Sequence, residues 1–237
     1  KIKKNIYLIP ESYQNKKIQI YKAKFWKDLM SQELIKRILS SLILIPTTLF
    51  FVIKGSALFV FFISICLIVI IYEWHMMTKK KPYRIFGYIF IFFSFYTIFK
   101  LRIDNDYYLL LFVIIICVST DIGGYVFGNI FKGPKLTKFS PNKTYAGMIG
   151  GYLLSIISAI ILTNFNFGEE IPINWFIFVF IISTISQLGD IIISYFKRLS
   201  KIKDTGKIIP GHGGLLDRVD GMIFVFPFLY LIFLTDF

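Results

Sequence analysis

Cysteine is nearly absent: Cys66 and Cys117 are the only two in 237 residues, and both sit inside apolar runs. That excludes a disulfide scaffold, and both read as small buried hydrophobes. Histidine is as scarce, His75 and His212, with no cysteine near His212, so zinc-ligand spacing is missing. Charged residues make up only 17% of the chain, against about a quarter in soluble domains. A disordered chain, a coiled coil and a water-soluble nucleic-acid binder are thereby excluded. No segment alternates polarity over roughly ten residues, as a membrane β-barrel strand would. No Gly-Lys-Ser/Thr follows a glycine-rich loop, so there is no Walker site.

Hydrophobic residues are abundant, at 56% with 27 Phe, and mean hydropathy is +0.67. They fall into seven blocks, Ile38–Ile53, Ala57–Tyr72, Ile85–Phe99, Tyr107–Val118, Tyr145–Leu162, Trp175–Leu188 and Met222–Leu234. Several are shorter than the roughly 20 residues a straight span needs, so their polar ends are expected to continue as helix. The expected fold is all-α, a polytopic transmembrane helical bundle.

Basic residues outnumber acidic ones 27 to 14, for a net charge of +13. In so apolar a chain, this excess points to anionic lipid, an anionic substrate and a definite topology. Placing Lys36 and Arg37 in the cytoplasm also puts Lys79, Lys80, Lys81 and Arg84 there, with Lys132, Lys135, Lys138, Lys143 and the cations between Lys197 and Arg218. The far side keeps Lys54, Lys100 and Arg102 with the acidic pair Glu169 and Glu170. Loops 119–144 and 189–221 then share the cytoplasmic side. Three regions follow: a basic tail, 1–33, interfacial or disordered; N-terminal spans, 34–118; and a C-terminal region, 119–237, that carries both long loops.

Ser183, Ser186, Gln187, Asp190, Ser194, Lys197 and Lys201 fall on one side of a helix, a polar stripe rising out of an apolar block. An ionisable residue at such depth signals a functional site, because an unpaired buried carboxylate is costly. Next comes Pro210-Gly211-His212-Gly213-Gly214, then Asp217-Arg218-Val219-Asp220. The glycines let backbone N–H groups turn toward an anion. Asp217 and Asp220, three apart, share a helix face and repel unless a cation sits between them. With Asp190 they form a three-carboxylate set suited to Mg²⁺. Lys197, Arg198, Lys203 and Arg218 surround it, the arrangement that phosphoryl or nucleotidyl transfer requires. His212, between glycines, reads as a loop hydrogen-bonder or phosphate contact. Glu73 and His75 read as interfacial and structural.

A second constellation precedes it. Asp121 ends the fourth block, and Ser140-Pro141-Asn142-Lys143-Thr144 opens the fifth, followed by Gly147, Gly150 and Gly151. Ser140 is expected to N-cap the fifth helix with Pro141 at its first position. The glycines are expected to form a small-residue helix contact. A helix N-terminus with Ser140, Lys143 and Thr144 suits a phosphate.

Ser194-Tyr-Phe-Lys197-Arg198, Lys203-Asp204-Thr-Gly206 and Ile209-Pro210-Gly-His212-Gly213-Gly214-Leu-Leu-Asp217-Arg218-Val-Asp220 together resemble the signature of the phosphatidate cytidylyltransferases, with no departure from it. Gln187-Leu-Gly189-Asp190, Ser140-Pro-Asn-Lys143-Thr144 and Asp121-Ile-Gly-Gly124-Tyr125 resemble other motifs of that family. The resemblance covers roughly 34–237 and is specific over 119–221.

The seven blocks, with a family that usually has more, give about seven to nine spans in a bacterial-type inner membrane, and the charge asymmetry faces the site to the cytoplasm. The resemblance implies transfer of CMP from CTP to phosphatidic acid by direct displacement. Asp190, Lys197, Asp217 and Asp220 would be catalytic. Asp190 and Asp217 would hold Mg²⁺ with help from Asp220, and a second cation is left open. Asp121, Ser140, Lys143, Thr144, Ser194, Arg198, Lys203, His212 and Arg218 would bind substrate or phosphate. The expected partners are CTP, phosphatidic acid in the bilayer and membrane lipids, with a homodimer left open and no nucleic acid. Two alternatives stand beside this reading, a CTP-dependent lipid-alcohol kinase and a non-catalytic transporter. The charges cluster at one face rather than at mid-membrane, against the transporter.

Overall fold

A computed structural model describes residues 32–137, 140, 142–164, 174–211 and 213–234. The basic tail through residue 31, Lys138, Pro141, Glu169, Glu170 and His212 lie outside the described residues. The described residues are helical: α1 (Gln32–Lys54), α2 (Ser56–Met77), α3 (Arg84–Asp104), α4 (Tyr107–Phe131), α5 (Tyr145–Thr163), α6 (Trp175–Leu199), the single turn α7 (Leu216–Val219) and α8 (Met222–Leu234). Each apolar block lies within one helix. The described chain has isolated backbone bridges at Lys135–Thr144 and Ile209–Gly213 and no longer strand.

Five helices, α2 to α6, are long and apolar enough to cross a membrane. Two shorter apolar stretches, Leu39–Lys54 and Met222–Leu234, fall below that length. The chain is therefore an integral membrane protein with five candidate spans among the described residues. Its outer surface is apolar, with Phe61, Ile68 and Phe86 exposed at 61%, 68% and 77%. That is the reverse of a water-soluble domain, as hydrocarbon solvent demands.

The polar ends of α4 and α6 continue as helix, to Phe131 and Leu199. Among the described residues, the expected loops 119–144 and 189–221 thus shrink to non-helical stretches at 132–137, 140, 142–144, 200–211 and 213–215. A backbone leaving hydrocarbon keeps its hydrogen bonds internal until water or side chains can replace them.

Phe112 and Ile116 of α4, Phe178 and Ile182 of α6, and Val225 and Leu229 of α8 form the fully buried centre. Cys117 lies in the same cluster, and both cysteines are free thiols. Ile70 and Trp74 of α2, Ile91 of α3, Ile193 of α6, Leu216 and Ile223 form a second cluster toward the polar end. Hydroxyls join the helices where apolar attraction cannot discriminate. Thr120 Oγ1 donates to Ser183 Oγ at 3.0 Å, and Ser94 Oγ to the Ile223 carbonyl at 2.6 Å.

α4 and α5 touch along the expected glycines. A Cβ at Gly123 would lie 2.3 Å from the Gly150 carbonyl oxygen, and one at Gly147 would lie 2.6 Å from the Gly124 oxygen. Only hydrogen in place of a side chain permits that approach. It seats the N-terminus of α5 beside the polar end of α4.

Candidate active site

The polar ends of α4, α5 and α6 and the segment 200–221 enclose a cavity of about 360 Å³. Its wall includes Asp121, Ser140, Lys143, Thr144, Asp190, Lys197, Asp217, Arg218 and Asp220. Nine of the thirteen expected catalytic and binding residues therefore meet in one place.

The stripe on α6 supplies the back of the cavity. Asp190 lies about two and a half turns inside the C-terminus of α6. Its carboxylate pairs with the Lys143 ammonium and accepts from Ser194 Oγ at 3.3 Å. Two turns on, Lys197 is only 8% exposed. Its ammonium donates to Asp217 Oδ1 at 3.0 Å and lies 3.5 Å from Asp220 Oδ2. The cation between the two i, i+3 carboxylates is thus a lysine of another helix. A buried ammonium is tolerated only with such partners. Lys201 leaves the stripe, because α6 ends at Leu199 and Lys201 turns to positive φ on the exposed surface.

Asp217 is tied further. Its Oδ2 accepts from the Thr205 and Gly214 backbone N–H groups at 2.8 and 3.0 Å. The turn that presents Gly214 needs positive φ at Gly211 and Gly213, +74° and +85°. Asp220 Oδ1 accepts from the Gly221 N–H at 3.0 Å. Burial pushes the Asp220 carboxyl well above the usual carboxylate range. The negative charge of Asp190 adds to that push, while Lys197 opposes it.

The loop before α5 folds back on itself. The Leu136 N–H donates to the Lys143 carbonyl at 2.7 Å, and the Lys143 N–H to that of Ser140 at 3.0 Å. This directs Lys143 across the cavity to Asp190. The N-cap of α5 is Thr144, not Ser140: Thr144 Oγ1 accepts from the Gly147 N–H at 3.1 Å. Thr144 is extended rather than helical, because it pairs antiparallel with Lys135, flanked by the Leu136 N–H donating to the Lys143 carbonyl and the Tyr145 N–H donating to that of Pro134.

Two expected phosphate contacts do not reach the cavity. Arg198 is exposed and donates to the Ile202 carbonyl at 3.0 Å, and Lys203 is also exposed. Arg198 faces away from Lys197 because α6 turns 100° between them, and Lys203 lies beyond the end of α6 at Leu199. Ser194 acts on Asp190 rather than on the cavity wall. Sequence reasoning missed Asp204 and Thr120 on the wall and Thr205 behind it. Glu73, expected to be interfacial and structural, is 1% exposed and hydrogen-bonded to the 205–216 segment. The available signal was an acid directly at the end of an apolar block in a chain with only 14 acidic residues.

The carboxylates of Asp121, Asp190, Asp217 and Asp220 offer hard oxygen donors of the kind Mg²⁺ takes, and no cysteine lies on the wall. Their charge is met by Lys143 and Lys197, and among the described residues no group of three acidic, histidine or cysteine side chains is clustered tightly enough to hold an ion by itself. The donor set fits a cation shared with phosphate oxygens better than a cation caged by protein alone.

Comparison with known proteins gives a consistent result. Residues 35–105 and 86–235 match the Cytidylyltransferase family. A phosphatidate cytidylyltransferase of Rickettsia felis is 35% identical over 213 residues, 85% of this chain and 92% of that protein. One of Rickettsia bellii is 34% identical over 227 residues, 91% and 97% of the two chains. One of Bacillus subtilis is 40% identical over 134 residues, 54% and 49%.

Proposed function

The chain belongs to the phosphatidate cytidylyltransferase family, and from that premise we propose that it transfers CMP from CTP to phosphatidic acid, yielding CDP-diacylglycerol and pyrophosphate for phospholipid biosynthesis. The observation that carries this reading is one cavity where lysine and arginine meet carboxylates at the end of an apolar bundle. A lipid phosphate arrives from the bilayer, a nucleotide arrives from water, and both can reach that depth.

A phosphate oxygen of phosphatidate attacks the α-phosphorus of CTP. The new P–O bond replaces the bond to the β-phosphate bridge, and pyrophosphate leaves with that electron pair. Lys143, Lys197 and Arg218 neutralise the charge that builds on the phosphoryl oxygens. Asp190 and Asp217 keep the two lysines in place through their ion pairs. The Thr205 and Gly214 N–H groups orient Asp217. Asp190, Asp220 and the Oδ1 side of Asp217 would hold Mg²⁺. Its contribution when bound is charge neutralisation on phosphate oxygens. The phosphate groups themselves supply nucleophile and leaving group, so direct displacement needs no covalent intermediate.

The placement of basic residues supports an inner-membrane location with this cavity on the cytoplasmic side, where CTP is available. The test uses purified protein in phosphatidate-containing micelles with Mg²⁺ and CTP labelled at the α- or the γ-phosphate. Label from the α-position should enter the lipid, with pyrophosphate released in equal amount. Transfer of the γ-label with release of CDP would instead establish the lipid-alcohol kinase.

A further inference from the structure

Glu73 lies near the end of α2, a helix that contributes nothing to the cavity wall. It is 1% exposed, and burying a carboxylate is costly unless donors surround it. Three donors from the segment that precedes Asp217 meet it. The Leu215 N–H donates to Oε1 at 2.9 Å, the Leu216 N–H to Oε2 at 2.8 Å, and Thr205 Oγ1 to Oε2 at 3.2 Å.

These bonds interleave with those of Asp217. Thr205 gives its hydroxyl to Glu73 and its N–H to Asp217. Gly214 gives its N–H to Asp217, and the next two N–H groups go to Glu73. The loop glycines are shaped to the same carboxylate. A Cβ at Gly206 would lie 2.8 Å from Glu73 Oε1, and one at Gly214 would lie 2.7 Å from it.

We infer that Glu73 is a positioning residue for the transfer centre: through Thr205, Leu215 and Leu216 it sets the place of Asp217, and with it the Lys197 ammonium. The inference rests on the cavity being the nucleotidyl-transfer site. Its structural half, control of the loop, stands independently. A carboxylate is needed because two backbone donors approach two separate oxygens. Glutamine offers one acceptor and turns an N–H₂ toward the other donor.

The experiment compares wild type, Glu73→Gln, Glu73→Ala, Thr205→Val and, as a control, Asp104→Asn at the surface pair with Lys100. Hydrogen–deuterium exchange is measured over 203–217, and kcat and KM are measured with CTP and phosphatidate. Both Glu73 variants should speed exchange in that segment while exchange in α4 and α5 stays put. Their kcat should fall on the order of tenfold to a hundredfold, the scale of a misplaced catalytic group, with KM for phosphatidate within about twofold. Glu73→Gln should be nearly as slow as Glu73→Ala. Thr205→Val should lose about threefold, and Asp104→Asn nothing. A Glu73→Gln enzyme with kcat within twofold of wild type overturns the inference, as does unchanged exchange over 203–217. If Glu73→Ala does not fold, Glu73→Gln and Thr205→Val decide. If wild type makes no CDP-diacylglycerol, the activity reading fails, and exchange still judges the anchoring.

Discussion

Lys197 Nζ lies 3.0 Å from Asp217 Oδ1, joining the candidate span α6 to the single turn α7 beyond the loop that follows it. The pair links the stripe that rises out of the bilayer to the glycine-rich turn at its mouth. Because Asp220 lies on the same ammonium, removing Lys197 leaves two buried carboxylates facing each other.

Lys197→Ala should therefore cost both stability and turnover. Loss of one partner from a buried ion pair costs about 3–5 kcal/mol, and kcat/KM should fall by at least about a hundredfold. Lys201→Ala, at an exposed position past the helix end, should stay within about twofold of wild type. Thermal melting in detergent and CTP turnover read the two effects. Equal losses would show that charge along the whole stripe matters, not one lysine.

Asp217→Asn should fold, since the amide oxygen still accepts from the Thr205 and Gly214 N–H groups. It should lose turnover by about a hundredfold or more, because the charge that holds Lys197 is gone. Circular dichroism with a turnover assay checks this. Near-normal turnover would remove Asp217 from the mechanism.

Lys143 and Asp190 are predicted to act as one unit, because their side chains pair across the cavity from different elements. Lys143→Ala and Asp190→Asn should each lower kcat/KM by about ten- to a hundredfold, and the double variant little further. A double-mutant cycle gives the coupling. Strict additivity would mean that the pair is not formed in the working enzyme.

Gly123 and Gly124 are neighbours with opposite tolerance. A Cβ at Gly123 meets the Gly150 oxygen at 2.3 Å, whereas one at Gly124 meets only the Gly147 oxygen at 3.7 Å. Gly123→Ala should destabilise by about 1–3 kcal/mol, through overpacking between α4 and α5. Gly124→Ala should be close to neutral. Paired melting curves decide, and the reverse order would refute the helix contact.

Chelation by EDTA should abolish turnover, and added Mg²⁺ should restore it along a saturating curve. Full activity in the chelator would leave neutralisation of the phosphates to Lys143, Lys197 and Arg218 alone.

The helices, the polar stripe and the glycine contact were legible in the residue order. Apolar continuity dictates a helix in hydrocarbon, and the 100° turn per residue places Asp190, Ser194 and Lys197 on one face whatever surrounds them. The membership of the cavity was also largely readable, because its residues cluster at the polar ends of the apolar blocks. Partner choice was not. That the cation between Asp217 and Asp220 is Lys197, that Lys143 reaches Asp190, that Arg198 and Lys203 face outward, that Thr144 rather than Ser140 caps α5, and that Glu73 holds the loop all depend on the path of 132–144 and 200–215 through space. Periodicity specifies directions around one helix axis. Pairings between separate elements follow from how those axes cross and where the connecting backbone finds its hydrogen bonds, which only the assembled bundle decides.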